Sequence, residues 1–464
     1  MQPAQSQRML AAILAISMAA AGCSEISSPS TPTLALQTTS PPTVPSATKT
    51  ISATTLPDTM PDVACPPLGS GLLDEMRAIE TEVADLRGLS PQAGLQRELL
   101  NPQQLGRRIE DDVLQEYGAV EAANDSLLYS LLGFIQPGLD LRQLYADLLA
   151  EQAAGFYDPE TDEMVIVCGE EFGGIERLTY AHEYNHALVD QVFDPQTTLG
   201  YSERACLEDA DRCSASQALI EGDASLLEEQ WLRTFGREQD LTDILAFFDR
   251  FDMPIYDSAP AYLQAELTFP YLQGLAFVRT IYLQNGWAGV DALYQNPPLS
   301  SEQIMHPERY PRDIPVHLTP PDVEEPLGAG WTEVVNGILG EWNTYMLLLE
   351  QLDQDTAQVS AEGWGGDFLL AFQKEATGEG ALILLTQWDT IRDAREFMDA
   401  FRSYGTARFG EPSGGSASSM EWSTDELDVL FLRQSNQTLW ILAPDVETRS
   451  AVRDAIRLPI WPTP

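Results

Sequence analysis

From residue 65 to about 152, apolar residues recur at helical spacing, as in "LLDEMRAIETEVADL" and "LRQLYADLLAEQ". The period then changes. Asp158-Pro159-Glu160-Thr161 reads as a turn, and Met164 to Val167 is a short apolar run of strand type. Gly173-Gly174 interrupts the chain, and a helix is expected from about Ile175 to Val192, with Ile175, Leu178, Ala181, Leu188 and Val192 on its apolar side. An acidic loop separates it from a second helix, about Ser214 to Leu232. The pattern stays helical, with proline-rich breaks, to about 352.

Beyond 356 the period of two takes over. "DFLLAFQK" and "ALILLTQW" read as strands, and "TIRDAREFMDAF" as a helix with Thr390 and Asp393 placed as a capping box. "LDVLFLRQ" and "TLWILA" read as a hairpin about Ser435-Asn436, and a last helix is expected over about 446–456. The fold class is therefore α+β. A mostly helical domain with a small sheet is expected over 65–355, and a small separate α+β domain of unknown role over 356–464.

Composition narrows the partners. The 464 residues carry 26 Lys+Arg against 71 Asp+Glu, a formal net charge of -45. Such a chain repels nucleic acid and anionic lipid headgroups, so no nucleic-acid partner is expected. Residues 24–64 are dominated by Ser, Thr and Pro, cannot bury a core, and read as an extended stalk. Before them, Arg8 precedes an apolar run, Met9 to Ala21, that is too short to span a bilayer. The run ends in Ala20-Ala21-Gly22-Cys23. This resembles the lipobox of bacterial lipoproteins, which implies a signal peptide over 1–23, lipidation of Cys23 and a membrane anchor in the extracytoplasmic cell envelope. Ala20 stands where that family more often has Leu. Four cysteines remain, an even number that suggests two disulfides among three connectivities. Cys206 and Cys213 form the local pair in "CLEDADRC", which leaves Cys65 with Cys168.

The chemistry is concentrated in "LTYAHEYNHALVDQ". Two of the four histidines, His182 and His186, stand four residues apart on one helix face, so both imidazoles can meet one metal ion. Glu183 lies about 100° round the axis, within reach of a water on that ion but not bound to it. Zinc brings such a water to a pKa of about 7, and the carboxylate can take its proton. A catalytic zinc needs a third protein ligand. In the pattern HExxHxxGxxH, which supplies a third His, the Gly and His positions are Val189 and Val192 here. "SQALIEGDASLLEEQWL" instead places Glu221 among Ala218, Leu219, Ile220 and Ala224, where a carboxylate needs a partner such as a metal. Gly222 beside it lets another backbone approach.

"HEYNHALVD" and "ALIEGDA" resemble the gluzincins, zinc metallopeptidases of the HExxH…E type to which thermolysin belongs. The resemblance implies a zincin-like catalytic domain, one zinc per chain on His182, His186 and Glu221, Glu183 as general base, and an orienting role for Asp190. Where those enzymes carry an Asp four residues after the ligand Glu, this chain has Ser225, so Asp223 is the expected replacement behind the ligands. "GFYDP", "FPYLQGLAFV" and "LSSEQIMHPERY" extend a resemblance to bacterial predicted metallopeptidases over about residues 140–315. In zincins a strand before the motif helix pairs with the substrate backbone, and Met164 to Val167 is the expected strand. His306 is the first candidate for the oxyanion donor, with Tyr271 and Tyr310 behind it. The expectation is a membrane-anchored zinc endopeptidase acting on peptide or protein. A non-catalytic zinc-binding lipoprotein and a zinc hydrolase of a non-peptide amide, such as a cell-wall component, are the competing classes.

Overall fold

The computed structural model describes residues 65–460, apart from 66, 93, 169–171, 202 and 251. The signal peptide, the stalk and Cys23 lie outside the described residues. The fold is α+β, with a mostly helical half and two sheets.

Three short strands form the first sheet: β1 (Gln96–Leu100), β2 (Gly155–Asp158) and β3 (Glu163–Val167), in the order β1-β3-β2. β1 runs parallel to β3 and β2 antiparallel to it. The strand expected to face substrate, Met164 to Val167, is therefore the central one and has no free edge. Its residues Met164, Val165 and Ile166 are buried, which is what a β-branched apolar run in a central strand achieves. The edges belong to β1 and β2, and β2 is the edge strand that packs against the helix carrying the histidines.

The helix that carries the histidine pair is α2 (Gly174–Phe193), following α1 (Ser70–Arg87). Its first turn is tied back by Glu176, whose carboxylate accepts the Gly173 N–H at 3.0 Å. Most of α2 is buried, because it is covered by three neighbouring elements. Met76, Ile79 and Val83 of α1, Met164 and Ile166 of β3, and Leu227 and Trp231 of α3 (Ala210–Phe235) pack into one cluster with Leu178, Ala181 and Leu188. α3 in turn crosses α4 (Ala261–Leu293) at a pair of glycines. A methyl on Gly222 would meet the Gly274 carbonyl oxygen at 2.3 Å, and one on Gly274 would meet the Ala218 oxygen at 2.1 Å. The close backbone approach expected at Gly222 is thus present.

The second sheet has seven strands. β4 (Trp331–Gly337), β5 (Trp364–Lys374), β6 (Gly380–Trp388), β7 (Gly414–Ser416), β8 (Ser419–Ser423), β9 (Asp428–Gln434) and β10 (Gln437–Ala443) are ordered β4-β5-β6-β10-β9-β8-β7. Ser435-Asn436 makes the β9–β10 turn, with Ser435 at φ 58°. The helix Ile391–Phe409 begins at the expected capping box of Thr390 and Asp393. Both faces of this sheet are apolar. Phe397 and Phe401 cover Leu384, Phe431 and Trp440 on one face, and Val452 and Ile456 cover Ile383, Leu439 and Ile441 on the other.

This sheet is not set apart from the rest. β4 precedes residue 356 and pairs with β5, so a boundary at 355/356 cuts the sheet. The face under Phe401 continues into Leu105, Ile109, Leu132 and Leu149 of the N-terminal helices as one core. Arg408 closes the junction by donating to the Leu131 and Leu132 carbonyls at 2.8 Å each. A change of period marks where strands begin, but not which helices their inner face will bury.

The disulfides are Cys65–Cys168 and Cys206–Cys213, with Cα separations of 5.5 and 5.2 Å. Such bonds belong to an oxidising compartment outside the cytosol. Among the described residues no helix is long and apolar enough to cross a membrane.

Candidate metal centre

α2 and α3 bring His182, His186 and Glu221 together. Glu221 Oε2 stands 3.3 Å from His182 Nε2 and 3.5 Å from His186 Nε2. Three atoms bound tetrahedrally to one ion at 2.0–2.1 Å would stand about 3.3–3.4 Å apart. The side chains of His182 and Glu221 are fully buried, and His186 is 12% exposed.

The residue behind His182 is Glu228, not Asp223. Glu228 Oε2 lies 2.9 Å from His182 Nδ1. A carboxylate only accepts, so Nδ1 carries the proton and a neutral His182 presents a lone pair at Nε2. That lone pair faces the Glu221 oxygen, and His186 Nε2 faces the same oxygen without any hydrogen-bond partner. Three electron pairs converging in a buried space require an electrophile, either a proton or a metal ion. With protein charges alone the proton serves. Burial by itself lowers the His182 pKa, but Glu221 and Glu228 outweigh it and push it up to about 10. Burial would raise Glu221, yet His186 and His182 hold it below the usual carboxylate range.

Asp223 braces the scaffold instead. Arg87 of α1 donates to both its oxygens, at 3.0 and 2.9 Å, and Tyr294 and Asn185 donate at 2.9 and 3.3 Å. It thereby ties α1 and α2 to α3 on either side of the ligands. Asp190 accepts from the Tyr157 hydroxyl at 3.0 Å and links α2 to the edge strand β2.

Glu183 is fully buried, and neither carboxylate oxygen has a partner in hydrogen-bond geometry. Burial pushes its pKa up to about 7, against the nearby His186 and His182 and against the Tyr157 N–H, which faces it from β2. The β2–β3 register explains that N–H. Val167 N–H bonds Ala154 O, so alternate residues of β2 turn toward β3, while the backbone groups of Gly155 and Tyr157 point to the open edge. Glu183, His186, Glu221 and Tyr157 line a small cleft of about 90 Å³, closed by Val189, Ile220, Pro195 and Tyr201.

His306 is not brought to these ligands. Its Nε2 is held by Glu341 at 2.8 Å, beside Ser301, whose N–H bonds Asp211 at the start of α3. Asp211 precedes Glu221 by ten residues, about 15 Å of helix rise. Tyr310 bonds Asn296 and packs on Phe277, also away from the ligands. Of the three oxyanion candidates only Tyr271 stands beside the site, its ring 6.4 Å from that of His182. Glu228 was missed in the sequence, although it follows Glu221 by seven residues and so lies two turns on along the same face.

A family model described as a domain of unknown function (DUF8575) matches residues 327–453. The match covers the seven-stranded sheet and stops short of the histidines, Glu183, Glu221 and Glu228. No curated protein and no solved structure matches the chain.

Proposed function

We propose that this protein is a zinc-dependent metallopeptidase of gluzincin type, anchored to the membrane on its extracytoplasmic side. One observation carries the reading: two imidazole nitrogens and a carboxylate oxygen converge at 3.3 and 3.5 Å in a buried space, beside the second buried carboxylate of Glu183, which only the Tyr157 N–H faces. The donor set of two nitrogens and one oxygen suits zinc, and its spacing suits tetrahedral binding.

When bound, zinc supplies Lewis acidity toward a water and toward the substrate carbonyl. The protein's own groups do the remainder. Glu228 holds the His182 proton on Nδ1 and keeps Nε2 free. Glu183, with a pKa pushed up to about 7, takes a proton from the attacking water and gives it to the leaving amine. The open edge of β2 offers the Gly155 backbone groups and the Tyr157 carbonyl to an extended peptide. The two disulfides agree with an extracytoplasmic site, and the lipid anchor rests on the lipobox resemblance.

The test is metal content in the purified protein beside His182→Ala, Glu221→Ala and Glu183→Ala, followed by digestion of a peptide library and of cell-wall material. One zinc per wild-type chain, lost in the first two variants and kept in the third, with peptide cleavage lost in all three, is the expected result. A wild type that takes up no zinc on reconstitution would sink the peptidase reading. Zinc with cleavage of cell-wall amides alone would move the activity to that substrate.

A further inference from the structure

An extended peptide has two hydrogen-bonding edges, and β2 satisfies only one of them. A strand laid against β2 pairs alternate residues with the Gly155 backbone groups and the Tyr157 carbonyl. The residues between those turn their N–H and C=O the other way, into the cleft. These groups give up water on binding, and each then needs a partner from the protein.

The wall across from β2 is α3. Both elements pack on α2, and the cleft lies between them, with Tyr157 and Pro159 on one side and Gln217, Ile220 and Glu221 on the other. Several polar groups of the lining are already engaged. The Tyr157 hydroxyl and Asp190 hold each other at 3.0 Å, and His186 and Glu221 face one another at 3.5 Å. Gln217 is different. It stands four residues before Glu221, one turn away on the same face of α3, and is half-buried. Its carboxamide makes no hydrogen bond among the described residues. Gln196 also lines the cleft, but on the four-residue helix Pro195–Thr198 beyond the end of α2. α3 is a 26-residue helix packed on both α2 and α4, which fixes the position of Gln217 more closely. A carboxamide carries an acceptor oxygen and an NH₂ donor in one plane, as a peptide unit does. It can therefore take the N–H and C=O of one peptide residue together, as a neighbouring strand would.

We infer that Gln217 binds the substrate backbone across the cleft from β2, a side chain standing in for a second strand. The inference rests on the peptidase reading and gives it a substrate class: an extended run of consecutive α-linked residues, held by its backbone on both edges. Recognition of this kind is tolerant of side chains, because every residue but proline presents the same N–H and C=O. An amide linked through a side chain breaks the alternation of the two edges and is disfavoured. A proline at the residue facing Gln217 lacks the N–H and is disfavoured for that reason.

The experiment measures peptide binding without turnover. The chelator-stripped full chain, as wild type and as Gln217→Ala, is titrated by calorimetry with a capped peptide of Ala, Leu, Ser and Thr. The titration is repeated with its single ester analogues, each lacking one backbone N–H. Gln217→Ala should melt as the wild type does, since no partner in the fold is stranded, and should bind the peptide about tenfold more weakly. In the wild type, esters facing β2 and esters facing Gln217 should both weaken binding. In Gln217→Ala the second set should cost nothing further, while the first costs as before. With zinc restored, KM should rise by about the same tenfold in the variant and kcat should stay within about twofold. Equal peptide affinity in the two proteins, an ester penalty unchanged at every position in the variant, or no binding by the wild type would each overturn the pairing. The expected binding pattern with no cleavage by the zinc-loaded wild type would keep the pairing and refute the peptidase reading instead.

Discussion

Replacing Glu228 tests whether the site is built for a metal. The Glu228 carboxylate sits 2.9 Å from His182 Nδ1, buried, and is the His182 partner on the side away from Glu221. Removing such a partner costs 10–100-fold in metal affinity. That corresponds to about 1.4–2.8 kcal/mol at 1.4 kcal/mol per factor of ten. Ala at this position would also strand the Nδ1–H in the core, at about 1–3 kcal/mol of stability, and confuse the readout. Gln keeps the size and an acceptor oxygen but removes the charge. Zinc affinity should be measured by competition with a chromophoric chelator, for wild type, Glu228→Gln and Glu221→Gln, with a thermal melt of each apoprotein. Glu228→Gln should bind zinc 10–100-fold more weakly and still fold, and Glu221→Gln more weakly again. If Glu228→Gln matched wild type while Glu221→Gln lost the ion, the contact would contribute nothing to the ligand, and the argument from converging lone pairs would fail.

Glu183→Gln should keep its zinc and lose about 10²–10⁴ in peptide cleavage, read as kcat at saturating substrate. Gly222→Ala should destabilise the protein by about 1–3 kcal/mol in urea unfolding, because the added methyl would stand 2.3 Å from the Gly274 oxygen and the α3–α4 crossing must open. Glu266 is pushed up to about 7 by burial and then by Asp125. Its folded form holds the proton more tightly than the unfolded chain, so the stability it contributes is present below its ordinary pKa and is lost as pH rises through about 7. Unfolding free energy should therefore fall by up to about 3 kcal/mol between pH 4.5 and 7.5, and Glu266→Gln should flatten that slope.

The helix periods of α2 and α3 are plain in the chain, and so is the pairing of His182 with His186. That pairing needs only the 3.6-residue turn, a local property. Glu221 was legible because a carboxylate among small and apolar residues announces its own burial. The same reasoning failed at Glu228. It stands in "LLEEQW" beside Glu229, and the local sequence does not tell the two acids apart. In the structure the two separate: Glu228 turns inward to His182, and Glu229 bonds Arg279 of α4. His306 failed for the opposite reason. A lone histidine next to a proline carries no indication of its partner, and Glu341, its partner, is 35 residues away.

The strand order was also out of reach. Met164 to Val167 was expected to take the substrate, yet β1, more than sixty residues earlier, pairs along one side of it and leaves β2 at the edge. Registry between distant strands depends on which faces must be buried together.

By itself the sequence determined the class of fold, the helix that sets His182 and His186 on one face, the glutamate beside them and the two disulfide pairs, all of which rest on spacing within a few turns or on the few cysteines present. Only the tertiary structure decided which carboxylate supports His182, which strand edge faces Glu183, and that the C-terminal sheet shares its core with the first helices. Those are outcomes of packing, where a residue's role is set by whatever distant segment covers it, and a linear pattern of polar and apolar positions carries no record of that choice.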